Sequence, residues 1–204
     1  MSSRFEKEVR ALRDGGLVVY PTETFYALGC LATMHASVER LVAVKGRPAD
    51  KPFPVIIADW DMAGRFFRLE GTALALARRF WPGPLSIVIE SIDALSPLTR
   101  DSRGHSAVRM SPHPVATRLC SEAGAPLVSS SANVSGEAPV CRPGDLDPVL
   151  LRHSGALVVD AEPWPAGGLP STLVEVVSEG SVRLLRAGAV SAEEIADCGF
   201  DVLE

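Results

Sequence analysis

Three cations stand within seven positions in Lys45-Gly46-Arg47-Pro48-Ala49-Asp50-Lys51-Pro52. The chain has only three lysines against seventeen arginines, and two of the three lysines are here. An ammonium is a compact charge on a swivelling stem and a guanidinium is a planar fork, so the two replace each other poorly at a shaped anion site. Lys45, Arg47 and Lys51 therefore read as placed by geometry, although basic loops are also common as plain solvated surface. Four polar loops add to the signal, each expected after a short apolar strand: Thr22-Glu23-Thr24, Arg109 to His113, Ser129 to Asn133, and Ser171-Thr172. Charge comes from Lys45, Arg47, Lys51, Arg109 and Arg186, and oriented hydroxyl and amide groups come from Ser129, Ser131, Asn133, Ser171 and Thr172. Such a set stabilises negative charge developing on a phosphoryl group, with electrostatic positioning as the main catalytic contribution. If the strands share one sheet, a ligand would collect where these loops cluster.

Other chemistries lack their signatures. There is no G-x-x-x-x-G-K-[ST] run, no G-x-G-x-x-G after a strand and no G-x-S-x-G elbow. Ser131 as a nucleophile would need a histidine base, and nothing in the sequence pairs one with it. His113, flanked by prolines, reads as structural. Glu23 stays open between a general base, a carboxylate that organises its loop, and one that holds Mg²⁺ through water. Trp81 reads as a core anchor rather than a base-stacking platform.

The elements that must position these residues are legible in outline. Ser3 and Glu6 have capping-box spacing, and Phe5, Val9 and Leu12 then recur at helical intervals until Gly15-Gly16. Leu17 to Tyr20 and Phe25 to Leu28 read as strands around the Thr22–Thr24 loop, and Val38 to Val44 as a helix ending at the basic stretch. Further strands are expected at 54–58, 85–90, 107–110, 126–129, 157–160, 173–177 and 182–185, with helices at 60–67, 72–80 and 114–123. Trp81-Pro82-Gly83-Pro84 reads as a rigid turn, and Ser91 to His105 as a mobile loop. Glu137 to Pro148 reads as a Pro-rich connection. Ser191 and Glu194 form a second capping box for a short terminal helix.

Composition bounds the partners. A net charge of −5 argues against broad, non-specific nucleic-acid binding, which depends on many cations releasing counterions, but it permits a small anion pocket. Cys30, Cys120, Cys141 and Cys198 are scattered without a C-x-x-C pair, the four histidines are equally dispersed, and no zinc site is expected. Neither a signal-peptide core nor a membrane-length apolar run is present, so the expected home is the cytoplasm, with no membrane contact.

Taken in order, Tyr20-Pro21-Thr22-Glu23-Thr24-Phe25-Tyr26-Ala27-Leu28-Gly29, Lys45-Gly46-Arg47-Pro48 with Lys51-Pro52, Trp81-Pro82-Gly83-Pro84-Leu85, Ala107-Val108-Arg109 with His113-Pro114, Ser131-Ala132-Asn133 with Ser135-Gly136, Ser171-Thr172 and Leu185-Arg186 resemble the YrdC-like family of threonylcarbamoyl-AMP synthases. Each motif is weak alone, but their joint order and spacing are specific. The resemblance implies a mixed α/β fold, a twisted mixed sheet flanked by helices with a large concave cleft, in one domain over residues 1–204. It implies condensation of L-threonine, bicarbonate and ATP to threonylcarbamoyl-AMP and pyrophosphate with Mg²⁺, for which the sequence shows no dedicated protein metal site. The product would pass to a separate threonylcarbamoyl transferase complex that modifies tRNA, and a direct tRNA contact is allowed. By the same resemblance Arg47, Lys51, Ser131, Asn133 and Arg186 are assigned to ATP, and Thr24, Arg109, Ser129 and Ser171 to threonine. Lys45 and Arg47 are assigned to catalysis, with Lys45 neutralising the carbamate as it attacks the α-phosphate.

The sequence departs from the commonest pattern at three places. Many relatives carry a histidine in the strand after the basic loop, where Pro54-Val55-Ile56-Ile57 has none, and Ala27 stands where glycine is usual. The chain also ends soon after the 182–185 hairpin, as in the short form of the family. Two other readings compete: a related carbamoyl-adenylate former, and a module that binds RNA or nucleotide without turnover. The lack of accompanying zinc-finger or acylphosphatase-like segments counts against the first, and the acidic net charge against the second.

Overall fold

The computed structural model describes residues 4–48 and 51–203. In chain order the elements are α1 (Glu6–Arg13), β1 (Val18–Pro21), β2 (Tyr26–Gly29), α2 (His35–Lys45), β3 (Val55–Ile57), α3 (Trp60–Phe66), α4 (Gly71–Phe80), β4 (Leu85–Glu90), β5 (His105–Met110), α5 (Pro114–Ala123), β6 (Leu127–Val128), β7 (Ser130–Ser131), α6 (Pro148–Ser154), β8 (Leu157–Val158), β9 (Thr172–Ser178), β10 (Ser181–Arg186), α7 (Ala192–Asp197) and β11 (Asp201–Leu203). The class is mixed α/β, and its strands divide between two mixed sheets. One has the order β7-β2-β1-β8 and the other β11-β10-β9-β4-β5-β3-β6. The strands that carry the polar loops therefore do not share one sheet.

The loops converge because the chain changes sheets beside them. β6 pairs antiparallel with β3, and two residues later β7 pairs with β2, aligning Ala27 with Ser131. Ser129 is the crossing residue, with its backbone N–H donated to Pro54 O at 2.9 Å. This explains why the strand expected over 126–129 is only two residues long in this sheet. The sheets approach closely here, since Val128 N–H donates to Cys30 O and the buried Tyr20 hydroxyl donates to Val128 O at 2.8 Å. One contiguous apolar core fills both sides, and all four residues of β1 and of β2 are buried.

Local sequence sets the ends of the site-bearing elements. α2 stops after Lys45 because Gly46 takes φ +55°, a left-handed conformation that glycine adopts without a Cβ clash. Arg47 is thereby turned off the helix axis. α5 starts at Pro114, whose missing N–H costs nothing at the first helical position, and His113 caps it by accepting from Val115 N–H. Trp81 is buried, with its indole N–H donated to Leu85 O at 2.7 Å, which is the core role expected of it. The Ser191–Glu194 capping box is present. Ser3 lies outside the described residues, and α1 begins after Phe5 without a side-chain cap.

The structure revises two further expectations. Residues 91–105, read as a mobile loop, are tied down at several points. Ser96 N–H donates to Ala32 O and Phe53 N–H to Leu98 O, Leu95 and Thr99 are buried, and a short 3-10 turn spans Pro97–Thr99. Leucines spaced among the polar residues give the segment its own anchor on the core. The second revision is α6, which follows the Pro-rich connection: Asp147 caps it, Pro148 opens it and Gly155 closes it at φ +61°.

Candidate active site

A cavity of about 490 Å³ opens where the two sheets meet. Thr22 and Thr24 enter from the β1–β2 loop, Ala27 from β2, Arg109 from β5, and Ser129, Ser130, Ser131 and Asn133 from the sheet-crossing segment. Arg47 and Pro54 come from either end of the basic stretch, and Gly168, Pro170, Ser171 and Arg186 close the far side. The loops themselves are pinned. Thr22 Oγ1 donates to Phe25 O at 2.7 Å and receives the Phe25 backbone N–H at 3.3 Å, so the β1–β2 loop presents Thr24 in a fixed turn.

Three guanidiniums face this space, each held differently. Arg47 donates to Lys51 O and Pro52 O at 2.7 and 3.0 Å and lies over the Phe53 ring, 4.7 Å from its centroid. Arg186 donates twice to Ser171 O, at 3.1 and 2.7 Å, and to Ser171 Oγ at 2.9 Å. Ser171 Oγ in turn meets the buried Ser86 hydroxyl at 3.1 Å. Arg109 donates its Nε to Glu23 Oε1 at 2.7 Å and makes a 3.4 Å contact from Nη2 to Ser129 Oγ. Burial, and then the charges of Arg109 and Arg47, lower the pKa of Arg186, while burial alone lowers that of Arg47. The cations repel one another across a lining that has no carboxylate among the described residues, and a bound anion would relieve that repulsion.

Lys45 does not line the cavity. Its ammonium donates to Ser131 O at 3.0 Å and to Asn133 O, and the Ser135 hydroxyl donates back to Lys45 O at 2.9 Å. The end of α2 and the Ser131–Asn133 segment are thus clasped together. Burial, then the Arg47 charge, lowers the Lys45 pKa. Asn133 donates its amide to Val134 O and Glu137 O, and its Oδ1 is buried without a partner among the described residues, an acceptor available to a ligand. Lys51 also stands off the lining, with an exposed side chain, and contributes its carbonyl to Arg47. Ala49 and Asp50 of the basic stretch lie outside the described residues.

Of the sequence-selected residues, the fold thus brings Thr24, Arg47, Arg109, Ser129, Ser131, Asn133, Ser171 and Arg186 into one cavity, leaves Lys45 and Lys51 off its lining, and buries Thr172 away from it with its hydroxyl donated to Val190 O. Sequence reasoning missed Ser86, which stands in no polar cluster, and it marked the 109–113 loop without singling out Ser111 as the buried partner of Glu23. It also missed Pro54 as a lining residue, since that strand was noted only for the histidine it lacks.

Glu23 falls between two lining threonines yet is not itself in the lining. It is no general base for a substrate in the cavity, because both its oxygens are engaged, Oε1 by Arg109 and Oε2 by the Ser111 hydroxyl. Burial pushes its pKa up, but the Arg109 charge and the hydrogen bonds of Ser111 and Arg109 outweigh this and hold it below the usual carboxylate value. Among the described residues the lining therefore offers magnesium no carboxylate, and those residues do not make a protein site for that ion. Among the described residues no group of three or more His, Cys, Asp or Glu is placed to hold a metal, and no helix is long and apolar enough to cross a membrane.

His113 is structural in its contacts. Its Nδ1 accepts from Val115 N–H, so its Nε2 carries the proton that is donated to Pro163 O at 2.7 Å. Burial lowers its pKa, against the opposing effects of the Pro163 carbonyl and Glu23. Since the folded pKa lies below the unfolded one, the unfolded chain takes the proton first as pH falls through about 6.5. Stability from this group is complete above that pH and is lost below it, down to the folded pKa. Thermal melts between pH 7.5 and 5 should show a falling Tm in the wild type and a flatter profile in His113→Asn, which keeps a capping acceptor. Parallel profiles would remove His113 as the cause.

Comparison with known proteins adds to this geometry. Residues 10–188 match the Sua5/YciO/YrdC family, which is described as telomere recombination. A protein of Mycobacterium leprae named putative threonylcarbamoyl-AMP synthase is 38% identical over 190 residues, covering 93% of this chain and 84% of that protein. A threonylcarbamoyl-AMP synthase of Vibrio vulnificus is 41% identical over 140 residues, covering 67% of this chain and 75% of that protein. Among solved structures, P. abyssi Sua5 complexed with L-threonine superposes with a TM-score of 0.84 at 27% identity. The alignment takes in 100% of this chain and 60% of the P. abyssi chain.

Proposed function

The chain belongs to the Sua5/YciO/YrdC family, and from that premise we propose that its cavity carries out threonylcarbamoyl-AMP synthesis, a nucleotidyl transfer that serves tRNA modification. The observation that carries this reading is the meeting of two kinds of site in one cavity. Arg47 and Arg186 are held by neutral carbonyls, and Arg109 with the hydroxyls of Thr24, Ser129 and Ser171 stands beside them. The first pair suits a polyphosphate. The second set suits the carboxylate, ammonium and hydroxyl of an amino acid.

In this reading ATP lies toward Arg47, Ser131, Asn133 and Arg186, and L-threonine toward Arg109, Thr24, Ser129 and Ser171. The threonine ammonium gives one proton to solvent and its amine nitrogen attacks the bicarbonate carbon; the C–OH bond breaks and the hydroxide leaves with a proton from nitrogen as water, giving the carbamate. A carbamate oxygen then attacks the α-phosphorus, the bond to the bridging oxygen breaks, and pyrophosphate departs with the electron pair. Arg47 and Arg186 stabilise the charge that accumulates on the phosphates. The bonds from Arg186 to Ser171 join the two halves, so neither substrate can shift its end without disturbing the other. Lys45 stands behind the loop that carries Ser131 and Asn133, where it keeps that loop closed against α2 and adds positive potential as the carbamate forms. Magnesium would accompany ATP as its counter-ion, and no step here depends on a protein ligand to it. The product passes to a separate threonylcarbamoyl transferase complex that acts on tRNA, in the cytoplasm.

Pyrophosphate release with ATP, Mg²⁺ and bicarbonate, with and without L-threonine, tests the reading. Release is expected to depend on threonine and to fall by about 10²-fold in Lys45→Ala, in line with displacement of the Ser131–Asn133 segment that the ammonium clasps. Folded wild type that binds ATP and gives no release would defeat the synthase reading.

A further inference from the structure

Arg109 differs from the other two arginines of the cavity, because among the described residues it alone has a carboxylate partner. Its side chain is 5% exposed and that of Glu23 12%, so each charge depends on the other, for removing one partner of a buried pair leaves an uncompensated charge. The contacts are directional as well. Glu23 occupies Nε from behind, Ser111 fixes the second carboxylate oxygen, and Nη2 has only the long contact to Ser129 Oγ. No hydrogen bond among the described residues engages Nη1. A guanidinium is planar, so a fixed Nε fixes the plane, and the two outer nitrogens remain available to the cavity that Arg109 lines.

We propose that Glu23 is a positioning and specificity residue, which aims the outer edge of Arg109 at the amino-acid carboxylate and keeps phosphate out of that end of the cavity. The inference rests on the synthase reading of this site. Its logic is charge division. Arg47 and Arg186 keep their full positive charge because only carbonyls and a hydroxyl hold them, which favours a polyphosphate. The Arg109–Glu23 pair is neutral overall. It offers two oriented donors to a carboxylate, while the negative charge behind them disfavours a phosphate with two charges. Without Glu23 the cavity would present three bare cations, and inorganic phosphate or a second ATP would compete with threonine.

The test is steady-state pyrophosphate release by the full chain for wild type, Glu23→Gln, Glu23→Asp and Ser111→Ala, with inorganic phosphate as the competing probe. Glu23→Gln is expected to raise the threonine KM about tenfold or more, leave the ATP KM within about twofold, and strengthen phosphate inhibition against threonine by about tenfold. Glu23→Asp should restore the weak phosphate inhibition in part. Ser111→Ala, which keeps the charge and frees one oxygen, should raise the threonine KM without strengthening phosphate, and it carries the test if Glu23→Gln does not fold. An unchanged threonine KM, or threonine and ATP KM rising together, would overturn the proposal. Calorimetric binding of L-threonine separates the two levels of inference. Wild type that turns nothing over but binds threonine more tightly than Glu23→Gln fails the synthase reading and keeps this role, whereas no threonine binding overturns both.

Discussion

Replacing either Arg47 or Arg186 with alanine is expected to lower kcat/KM for ATP by about 10²–10³-fold, the range seen when one preorganised donor to a transition-state anion is removed. Neither change should unfold the chain. Each arginine is held by hydrogen bonds to backbone carbonyls, worth roughly 1 kcal/mol apiece, and its loss also relieves repulsion among the cavity cations. The two effects oppose each other, so Tm should stay within a few degrees while activity collapses. Arg186→Lys should not rescue. An ammonium cannot reproduce the forked contacts to Ser171 O and Oγ, and Ser171 would lose the partner that fixes it against Ser86. For the wild type, the ATP KM should rise with salt, as expected for an anion drawn to clustered charge. The measurement is pyrophosphate release against ATP at saturating threonine, with circular dichroism melts alongside. Activity within tenfold of wild type in both alanine variants would remove these arginines from the triphosphate.

The same arginines show what the sequence could disclose. Lys45 and Lys51 were visible through residue choice, because a chain that prefers arginine uses lysine at only three places, and Arg47 stood out by falling between them. Ser129, Ser131 and Asn133 were visible as a polar run after an apolar one. The arrangement that joins them was not visible. Crossing between sheets at Ser129 depends on long-range pairing of β6 with β3 and of β7 with β2, and a two-residue strand has no periodicity of its own. Side-chain direction was hidden too. Lys45 and Arg47 are two residues apart, but the left-handed Gly46 sends one to the back of the Ser131–Asn133 loop and the other into the cavity. Glu23 could not be decided from sequence because its two neighbours face the cavity and it does not. Its partner Ser111 is distant in sequence and looks like any turn serine. α6 carries its own signals, with Asp147-Pro148 opening it and Gly155 ending it, but Pro139, Pro143 and Pro148 give the stretch the composition of a connection.

Substituting alanine at Gly29 is expected to destabilise the protein by about 3 kcal/mol or more, a drop in Tm of roughly 10 °C for a domain of this size. A Cβ there would stand 1.8 Å from Val128 O and 2.9 Å from its carbonyl carbon, so the backbone of β6 must move. A flexible side chain could yield to such a clash, but these are main-chain atoms in a paired strand, already bonded to the Tyr20 hydroxyl. The displacement reaches the site directly, because Ser129 follows Val128 and carries the crossing between sheets. Threonine KM should therefore rise in whatever fraction of the variant still folds. Gly64→Ala is the control. Gly64 lies within α3, has ordinary helical backbone and no atoms within 4 Å of an added Cβ. There the same methyl should stabilise by about 0.5–1 kcal/mol through helix propensity, without effect on threonine or ATP KM. Opposite signs for one chemical change would show that Gly29 is required by the contact between sheets. Equal melting temperatures for the two variants would mean that the sheets can part at β6, and with them the geometry assigned to Ser129.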